Sequence, residues 1–432
     1  MNKLTIEDIS AFEVFDSRGN PTLACEVRLS DDSSSISYVP SGASAGKYEA
    51  LEIRDKDETR FFGRGVSKAV NIINNEIKEL LAGLDPLDQT NIDSILCKAD
   101  GTNNKSTFGA NTILVVSLAN LRVSAKSRSL PLYECVNLLY KDLFEVDEKA
   151  TLPNPMMNIL NGGVHADNNI DFQEFMIQPS GFSNFKSAFQ CGVEIYHELK
   201  EQLKKQKLNI SVGDEGGFAP QLDSAEEALD LILKAIDVSG YKAGSQVFIC
   251  LDCASSELFN EGQYLLRGID KSFNSNEMIN YLDTLKSKYP INSIEDGLDE
   301  DDWEGWKSLT KSLGSEIQLV GDDLFVTNTN RIKKGIKQKV ANSVLVKINQ
   351  IGTISEAMEA VNLSKENGYK TIISHRSGET EDTSIADIAI GLNSGQIKTG
   401  APCRTDRVAK YNRMLILEEK FNIPFSGIDE VT

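Results

Sequence analysis

The sequence predicts an α/β protein in two parts, a small α+β N-terminal domain followed by a (β/α)₈-type barrel. Residues 1–140 contain short β-favouring runs and then helical patterns. Residues 141–432 alternate apolar β-type runs with helical stretches, and ionisable residues follow the later runs in phase. Strand–helix alternation is typical of a parallel sheet, and the chain length and number of repeats favour a closed barrel over an open sheet.

The composition limits the classes of partner. The chain has 432 residues and a net charge of −19, which argues against nucleic acid or an anionic membrane as the main partner. An anionic substrate would therefore need local positive charge in its site. The N-terminus MNKLTIEDIS lacks the apolar segment of a signal peptide, and no run of about 18 apolar residues predicts a membrane span.

The seven cysteines are scattered, which indicates a reducing, cytoplasmic compartment. Only Cys250 and Cys253 form a CxxC pair, inside the apolar run VFICLDC. Two readings stay open for this pair: buried structural thiols, or a redox or zinc pair.

In the N-terminal part, residues 4–15, 21–29 and 35–39 are predicted strands separated by turn-rich segments. Residues 67–84 and 109–127 have the apolar periodicity of helices, and the second is apolar enough to be buried.

The domain boundary is predicted at 140/141, where the polar stretch KDLFEVDEKATL begins; Pro153 and Pro155 follow it. Region 153–220 is less regular, so the barrel is expected to begin atypically. Later strands are expected at the apolar runs 173–178, 247–252, 292–294, 317–320, 343–348, 370–374 and 396–397.

Ionisable residues stand at the ends of the later apolar runs. They are Asp252, Glu295 with Asp296, Asp322 with Asp323, Lys347, His375 with Arg376 and Ser377, and Lys398. A barrel places the carboxyl ends of its strands on one face, so we expect these groups to meet in one cavity.

The carboxylates Asp252, Glu295 and Asp322 come from three successive predicted strands. Packed together they would repel one another, and a divalent cation would resolve the repulsion. Oxygen ligands without cysteine favour Mg²⁺ or Mn²⁺ over zinc. Salt bridges to neighbouring lysines remain the alternative.

The basic residues also allow two readings each. Lys347, close to a metal and another cation, would have a lowered pKa and could act as a general base; Lys347 and Lys398 could instead bind an anion. Arg376 beside Ser377 suits a phosphate group, and the alternative is an ion pair of Arg376 with Glu379 or Glu381.

Three further features complete the set of candidates. His165 lies in the Gly/Asn-rich loop NGGVHADNN, whereas His197 lies in a helical stretch and is expected to be an ordinary helix residue. Glu215, in GDEGGFAP, is either an exposed loop acid or a catalytic one. The small-residue loop PSGASAGKYEALE, residues 40–52, is either a linker or a lid over the site.

The ordered motifs of the chain resemble those of the enolase family, of the bacterial type, over essentially the whole length. The matching stretches are DSRGNPT (16–22), SGASAG (41–46), GANTILVVSLA (109–119), NGGVHADNN (161–169), QEFMI (173–177), GDEGGFAP (213–220), LDCASSE (251–257), SIEDGLDEDDW (293–303), GDDLFVTN (321–328), KINQIGT (347–353), SHRSGETED (374–382) and GQIKTGAP (395–402).

The resemblance implies a barrel whose second strand is antiparallel, with an N-terminal domain that caps the site and contributes to dimer contacts. It implies the glycolytic and gluconeogenic reaction, the Mg²⁺-dependent reversible dehydration of 2-phospho-D-glycerate to phosphoenolpyruvate. It also implies catalytic roles: Lys347 as base and Glu215 as acid, assisted by Glu174, with His165 also in the catalytic group. The implied metal ligands are Asp252, Glu295 and Asp322 for one Mg²⁺ and Ser44 for a second. The implied substrate contacts are Arg376 and Ser377 on the phosphate, Lys398 on the carboxylate, and Gln173, His165 and His375 elsewhere.

The resemblance further implies at least a homodimer, with octamers in some bacterial members. RNA-degrading assemblies, binding of host proteins and a surface or secreted pool are known in the family and stay open here. The family usually has Thr where this chain has Ala45, which leaves the effect on lid closure open. The alternatives are an acid-sugar dehydratase or racemase on the related barrel, and a scaffold or adhesin role.

Overall fold

A computed structural model describes residues 3–42 and 46–430 of the chain. It contains a three-stranded antiparallel sheet with helices in the N-terminal part, and then a closed eight-stranded barrel surrounded by helices. The predicted fold class is therefore confirmed. None of the helices in these described ranges combines the length and apolarity that a membrane crossing requires.

The N-terminal sheet has the order β1-β2-β3, and all three of its strands were predicted. Their bounds are β1 (Ile6–Phe15), β2 (Pro21–Leu29) and β3 (Ser34–Tyr38). The helical elements of this part are α1 (Ser67–Ile72), a π-helical turn (Ile73–Ile77), α2 (Lys78–Leu81), α3 (Gln89–Asp100), α4 (Ala110–Ser127) and α5 (Leu132–Phe144), with a 3₁₀ turn at Phe61–Gly63. Helix α4 is almost wholly buried because it packs on β2 and β3.

The barrel strands run around the closed sheet in the order β10-β11-β12-β13-β14-β4-β5-β6. The strands of this part are β4 (Asn154–Asn161), β5 (Glu174–Pro179), β6 (Val247–Asp252), β7 (Phe259–Asn260), β8 (Gln263–Leu266), β9 (Lys271–Phe273), β10 (Ile291–Glu295), β11 (Gln318–Gly321), β12 (Ser343–Val346), β13 (Lys370–Ser374) and β14 (Gly395–Lys398), of which β7–β9 form a small separate sheet.

Strand β5 is antiparallel to both β4 and β6, whereas the other barrel pairs are parallel. The antiparallel second strand that the resemblance implies is thus confirmed. Strand β4 and the small sheet were not among the predicted strands, because β4 is buried on both faces and its sequence, NPMMNILN, mixes asparagine with apolar residues.

Most of the longer helices around the barrel begin with a side-chain cap; Asn274 and Glu277, for example, form a capping box at the start of α9. Their bounds are α6 (Phe185–Lys205), α7 (Ala225–Val238), α8 (Ser255–Leu258), α9 (Ser275–Lys288), α10 (Trp303–Leu313), α11 (Thr329–Gln338), α12 (Ile348–Ile351), α13 (Ile354–Glu366), α14 (Ser384–Gly391) and α15 (Thr405–Phe421), with 3₁₀ turns at Gly163–His165 and Gly427–Glu430.

The interior of the barrel is layered. A compact apolar cluster is made of Met156, Met176, Cys250, Val320, Leu345 and Ile372, all fully buried. Side chains two positions apart in a strand share a face, so the next inward-facing layer follows two residues further toward the site. That layer contains Asp252 after Cys250, Asp322 after Val320 and Lys347 after Leu345. The apolar layer closes the floor of the cavity.

Candidate active site

A cavity opens at the carboxyl ends of the parallel barrel strands. Eleven of the thirteen site residues predicted from the sequence line it: His165, Gln173, Glu174, Glu215, Asp252, Asp322, Lys347, His375, Arg376, Ser377 and Lys398. Glu295 lies just behind the lining and is fully buried. Ser44 falls outside the described residues. Which role each residue plays stays a prediction.

Glu174 reaches the cavity only because β5 is antiparallel. It is the first residue of β5 and lies opposite Asp252, the last residue of β6. In a parallel strand, the first residue would lie at the far end of the barrel. The reversed direction therefore brings Gln173 and Glu174 to the same rim as the strand-terminal carboxylates.

The three predicted metal ligands sit on adjacent strands. Asp252 ends β6 and is in register with Glu295, which ends β10; Asp322 directly follows β11. Asp296 braces this edge, since its carboxylate accepts the backbone N–H groups of Asp322 at 3.0 Å and Asp323 at 2.8 Å. The oxygens of Asp296, Asp322 and Asp323 lie close enough to one another to hold a metal ion.

Lysines pair with these carboxylates in the structure. Lys398 extends from the opposite wall of the barrel, and its Nζ lies 2.9 Å from Asp252 Oδ2 and 2.8 Å from Glu295 Oε1. Lys347 Nζ pairs with Asp322 Oδ2. The salt bridges that the sequence left as an alternative are thus formed, and they use the same oxygens that a metal ion would need.

The cavity nevertheless holds a large excess of negative charge. Among the described residues that line it, eight are carboxylates and three are lysine or arginine. Burial, and then the Asp252 carboxylate, raise the pKa of Glu295 well above its ordinary value; burial and the neighbouring Asp323 do the same for Asp296. The raised pKa values show that these crowded carboxylates repel one another, and a divalent cation would offset that repulsion. A set of donors made of oxygen atoms fits Mg²⁺.

The pKa of Lys347 is raised in this structure: burial would lower it, and so would Arg376 and Lys398, but Asp322 and the other carboxylates together outweigh them. The lowered pKa expected beside a bound metal ion stays a prediction. The expectation assumed that a cation would be the dominant neighbour. In the structure the dominant neighbour of the ammonium group is an anion.

Glu174 and Glu215 form a buried carboxyl pair on the wall opposite Lys347, with His165 between them. His165 Nδ1 lies 3.6 Å from Glu174 Oε1 and 3.7 Å from Glu215 Oε1. Burial and the charge of Glu215 raise the pKa of Glu174 well above its usual range. Although burial would raise it, the pKa of Glu215 is lowered, because His375 turns its ring proton toward this carboxylate and the Arg407 guanidinium adds positive charge nearby.

The pKa directions place a proton of this pair on Glu174 rather than on Glu215. Asn158 stabilises the ionised form of Glu215 by donating from Nδ2 to Oε2 at 3.0 Å. The loop comes this close because Gly213 packs against the backbone of His165, where a Cβ would lie 2.7 Å from the carbonyl oxygen of His165. Glu215 is buried, so the reading as an exposed loop acid is wrong.

His375 is held neutral by a fully buried arginine. The guanidinium of Arg407 can only donate, so His375 Nδ1 accepts from it, and Nε2 carries the ring proton and faces Glu215 Oε2 at 3.4 Å. Burial, with the Arg407 charge adding to it, lowers the pKa of His375 to about 3. Arg407 also donates to the carbonyl oxygens of Arg376 and Ser377, both at 2.6 Å, and so fixes this loop.

Arg376 pairs with a carboxylate that the sequence did not suggest. Its Nη1 lies 2.9 Å from Glu49 Oε2 and 3.2 Å from Asn349 Oδ1. Glu379 instead accepts the backbone N–H of Arg376, at 3.2 Å. The predicted alternative, an ion pair with Glu379 or Glu381, is therefore wrong; the partner comes from the N-terminal domain.

The described residues on both sides of 43–45 contact the barrel beside the cavity, and Glu49 lines it, which favours the reading of residues 40–52 as a lid over that as a linker. Ser41 and Gly378 exchange two backbone hydrogen bonds, of 2.8 and 2.9 Å, between the N-terminal domain and the loop after β13. Further along, Ala50 N donates to Gln350 O at 2.9 Å. The residues on either side of 43–45 are thus both fastened to the barrel.

The remaining expectations concern residues away from the cavity. His197 is exposed on α6, an ordinary helix residue as predicted. Cys250 and Cys253 are fully buried free thiols, and burial raises the pKa of both, which confirms the structural reading. The domain boundary at 140/141 stays a prediction; α5 runs on to Phe144.

Several site residues were missed by the sequence argument. Gln350 donates to Asp322 Oδ1 at 2.9 Å and Asn158 to Glu215, while Glu49 and Arg407 hold Arg376 and His375. Gln350 and Arg407 lie inside helices, where a polar residue carries no visible signal of a site. The three glycines and the proline of GDEGGFAP could have indicated a loop that packs closely against its neighbours.

Fold and cavity together define a class: a barrel enzyme with an acidic, metal-fitting site at the strand carboxyl ends. Two family models match the chain, the enolase N-terminal domain over residues 6–136 and the enolase C-terminal TIM barrel domain over residues 149–430. The chain belongs to the enolase family, and the class of enzyme is a lyase of that family.

Proposed function

We propose that the protein catalyses the reversible, Mg²⁺-dependent dehydration of 2-phospho-D-glycerate to phosphoenolpyruvate, as a phosphopyruvate hydratase of glycolysis and gluconeogenesis. One observation carries the proposal. Lys347, after β12, and the Glu174–Glu215 pair, at β5, stand on opposite walls of the barrel, with the carboxylate cluster between them. A base and an acid on opposite faces suit removal of a proton and of hydroxide from two sides of one substrate.

Asp252, Glu295 and Asp322 would hold the tightly bound Mg²⁺, and Ser44 would contribute to a second; Mn²⁺ suits the same oxygen ligands. The metal would neutralise the second negative charge that develops on the substrate carboxylate when the neighbouring carbon loses its proton. Since Asp322 would then be shared with a cation, the main cause of the raised pKa of Lys347 would be weakened.

The side chains then divide the reaction. Neutral Lys347 takes the proton from the carbon next to the carboxylate, and its Nζ becomes an ammonium. The hydroxide leaves toward the opposite wall and takes a proton from the Glu174–Glu215 pair, which burial keeps partly protonated. Neutral His375 and His165 border this pair without adding a positive charge, as their lowered pKa values require.

The non-reacting groups orient the substrate. Arg376 and Ser377 would bind the phosphate, whose binding energy positions the reacting carbon. Lys398, whose pKa stays raised by its carboxylate neighbours despite its burial, would hold the substrate carboxylate together with Gln173. An acid-sugar dehydratase or racemase would need the metal carboxylates but has no use for the phosphate-binding pair Arg376 and Ser377.

The protein would act in the cytoplasm as a homodimer or a higher oligomer. The N-terminal domain exposes aromatic side chains that a second copy could cover: Phe12 is 47%, Phe15 52% and Phe62 85% exposed. A scaffold role, in RNA-degrading assemblies or on host proteins, would be added to catalysis, because the complete site is retained.

The test is to mix the purified protein with 2-phosphoglycerate and follow the ultraviolet absorbance of the enol product, with Mg²⁺ and then with EDTA. The proposal predicts a rise with Mg²⁺ that EDTA abolishes. A folded protein that binds Mg²⁺ and gives no product would refute the assigned reaction. Acid sugars tested in parallel would then decide whether the related chemistry applies.

A further inference from the structure

Arg376 differs from the two lysines of the cavity in the carboxylate that pairs with it. Lys347 and Lys398 pair with Asp322, Asp252 and Glu295, which are the predicted metal ligands, and Lys398 has a longer contact of 3.3 Å with Glu174. A metal ion would compete for those oxygens. Glu49, the partner of Arg376, belongs to the N-terminal domain and is not among the predicted ligands, so metal binding leaves this ion pair in place.

The Glu49–Arg376 pair has the fork geometry with which arginine binds phosphate. Glu49 Oε2 lies 2.9 Å from Nη1 and Oε1 lies 3.2 Å from Nη2. The two side chains are only 8% and 5% exposed, and both line the cavity. A phosphate that uses the same edge of the guanidinium meets a carboxylate already bound there, in a site where little water separates the two negative charges.

Glu49 also holds the described segment 46–50 in place. Its Oε1 accepts the backbone N–H of Gly46 at 3.0 Å and the Nε2 of Gln350 at 3.3 Å. Gly46 is the first described residue after 43–45, the stretch that contains Ser44. Any shift of the Glu49 carboxylate away from Arg376 therefore also disturbs the contacts with Gly46 and Gln350 that fix segment 46–50.

We propose that Glu49 is a positioning residue that occupies Arg376 in place of phosphate, so that phosphate binding displaces its carboxylate and changes the position of segment 46–50. Phosphate binding and the position of residues 46–50 are thereby coupled through one ion pair. The inference rests on the proposed function only for the identity of the phosphate-bearing substrate.

The experiment is calorimetric titration of the Mg²⁺-loaded protein with inorganic phosphate, using the wild type, Glu49→Gln and Glu49→Asp. Glu49→Gln removes the competing charge and keeps an acceptor for the guanidinium. It is expected to bind phosphate about tenfold more tightly, as befits the loss of one like charge next to the site. Glu49→Asp keeps the negative charge, so its affinity for phosphate is expected to stay closer to that of the wild type.

Asp301→Asn provides the matched control. Asp301 accepts from Lys47 Nζ at 3.0 Å and from Tyr48 Oη at 2.8 Å, so it fastens the same segment without touching Arg376. This variant is expected to leave phosphate affinity unchanged. With 2-phosphoglycerate, Glu49→Gln is expected to lower kcat severalfold while KM falls or stays constant. The substrate phosphate would bind more readily, and residues 46–50 would be held less firmly.

Unchanged or weaker phosphate binding by folded Glu49→Gln would overturn the inference, as would phosphate binding by neither protein. Equal tightening in Asp301→Asn would overturn it too, since loosening of the segment would then suffice. The readout does not depend on turnover. A wild type inactive on 2-phosphoglycerate, with phosphate affinity still raised in Glu49→Gln, would refute the proposed substrate and leave the role of Glu49 standing.

Discussion

Acidification should destabilise the folded, metal-free protein through His375. The side chain is 2% exposed, and a second ring proton would have to lie on Nδ1, directly against the Arg407 guanidinium. Its pKa is therefore lowered to about 3 in the folded protein, against about 6.5 in an unfolded chain. The unfolded chain binds a proton in this pH range and the folded protein does not.

The stability contributed by neutral His375 is consequently present above pH 6.5 and is lost as the pH falls from about 6.5 toward 3. Each pH unit in that window is worth about 1.4 kcal/mol. Between pH 7.5 and pH 5, the unfolding free energy should fall by about 2 kcal/mol through this residue alone.

The assay is urea unfolding in EDTA at both pH values, for the wild type, His375→Gln and His197→Gln. His197 is exposed on α6 and serves as the control. The difference between the two pH values should shrink by about 2 kcal/mol in His375→Gln and should not change in His197→Gln. An unaltered pH dependence in His375→Gln would refute the conclusion that burial, together with Arg407, keeps this imidazole neutral in the folded protein.

Three further predictions concern the metal site, the core and the thiols. Asp252→Asn should weaken Mg²⁺ binding by about 100-fold or more, measured by calorimetry, because it removes a charged ligand oxygen; wild-type affinity in this variant would contradict the assigned ligand set. Trp306→Ala, at a fully buried position, should cost about 3–5 kcal/mol in urea unfolding, whereas Val238→Ala at a 55% exposed position should stay within about 0.5 kcal/mol; equal effects would contradict the described core. A thiol reagent should modify at most Cys97 and Cys403, the two partly exposed cysteines, before unfolding and all seven after it; rapid reaction of the buried thiols would contradict their placement.

Local sequence pattern predicted the barrel well where apolar runs end in a charge. Val320 with Asp322, and Leu345 with Lys347, show why: the inward face changes from the apolar floor to the site within two residues. The direction of β5 has no local signal, since an antiparallel strand of six buried residues looks like a parallel one. That feature came from the resemblance to a family.

Partners that are distant in sequence were the part that local pattern could not supply. Glu49 and Arg376 are 327 positions apart, and nothing near Arg376 indicates that its carboxylate comes from the N-terminal domain. The ion pair of Lys347 with Asp322 was likewise not specified by local pattern. The direction in which the pKa of Lys347 shifts depends on whether Asp322 or a cation dominates, and only the folded geometry shows which group is nearest.

The central claim is that Lys347 removes a proton from the substrate carbon and that the carboxyl pair on the opposite wall expels hydroxide. The most direct measurement is exchange of the α-hydrogen of 2-phosphoglycerate with deuterated water, followed by NMR, for the wild type, Lys347→Ala and Glu215→Gln with Mg²⁺. We expect exchange in the wild type, none in Lys347→Ala, and retained exchange with little phosphoenolpyruvate in Glu215→Gln. Exchange at the wild-type rate in Lys347→Ala would contradict the account, because the proton would then be leaving to some other base.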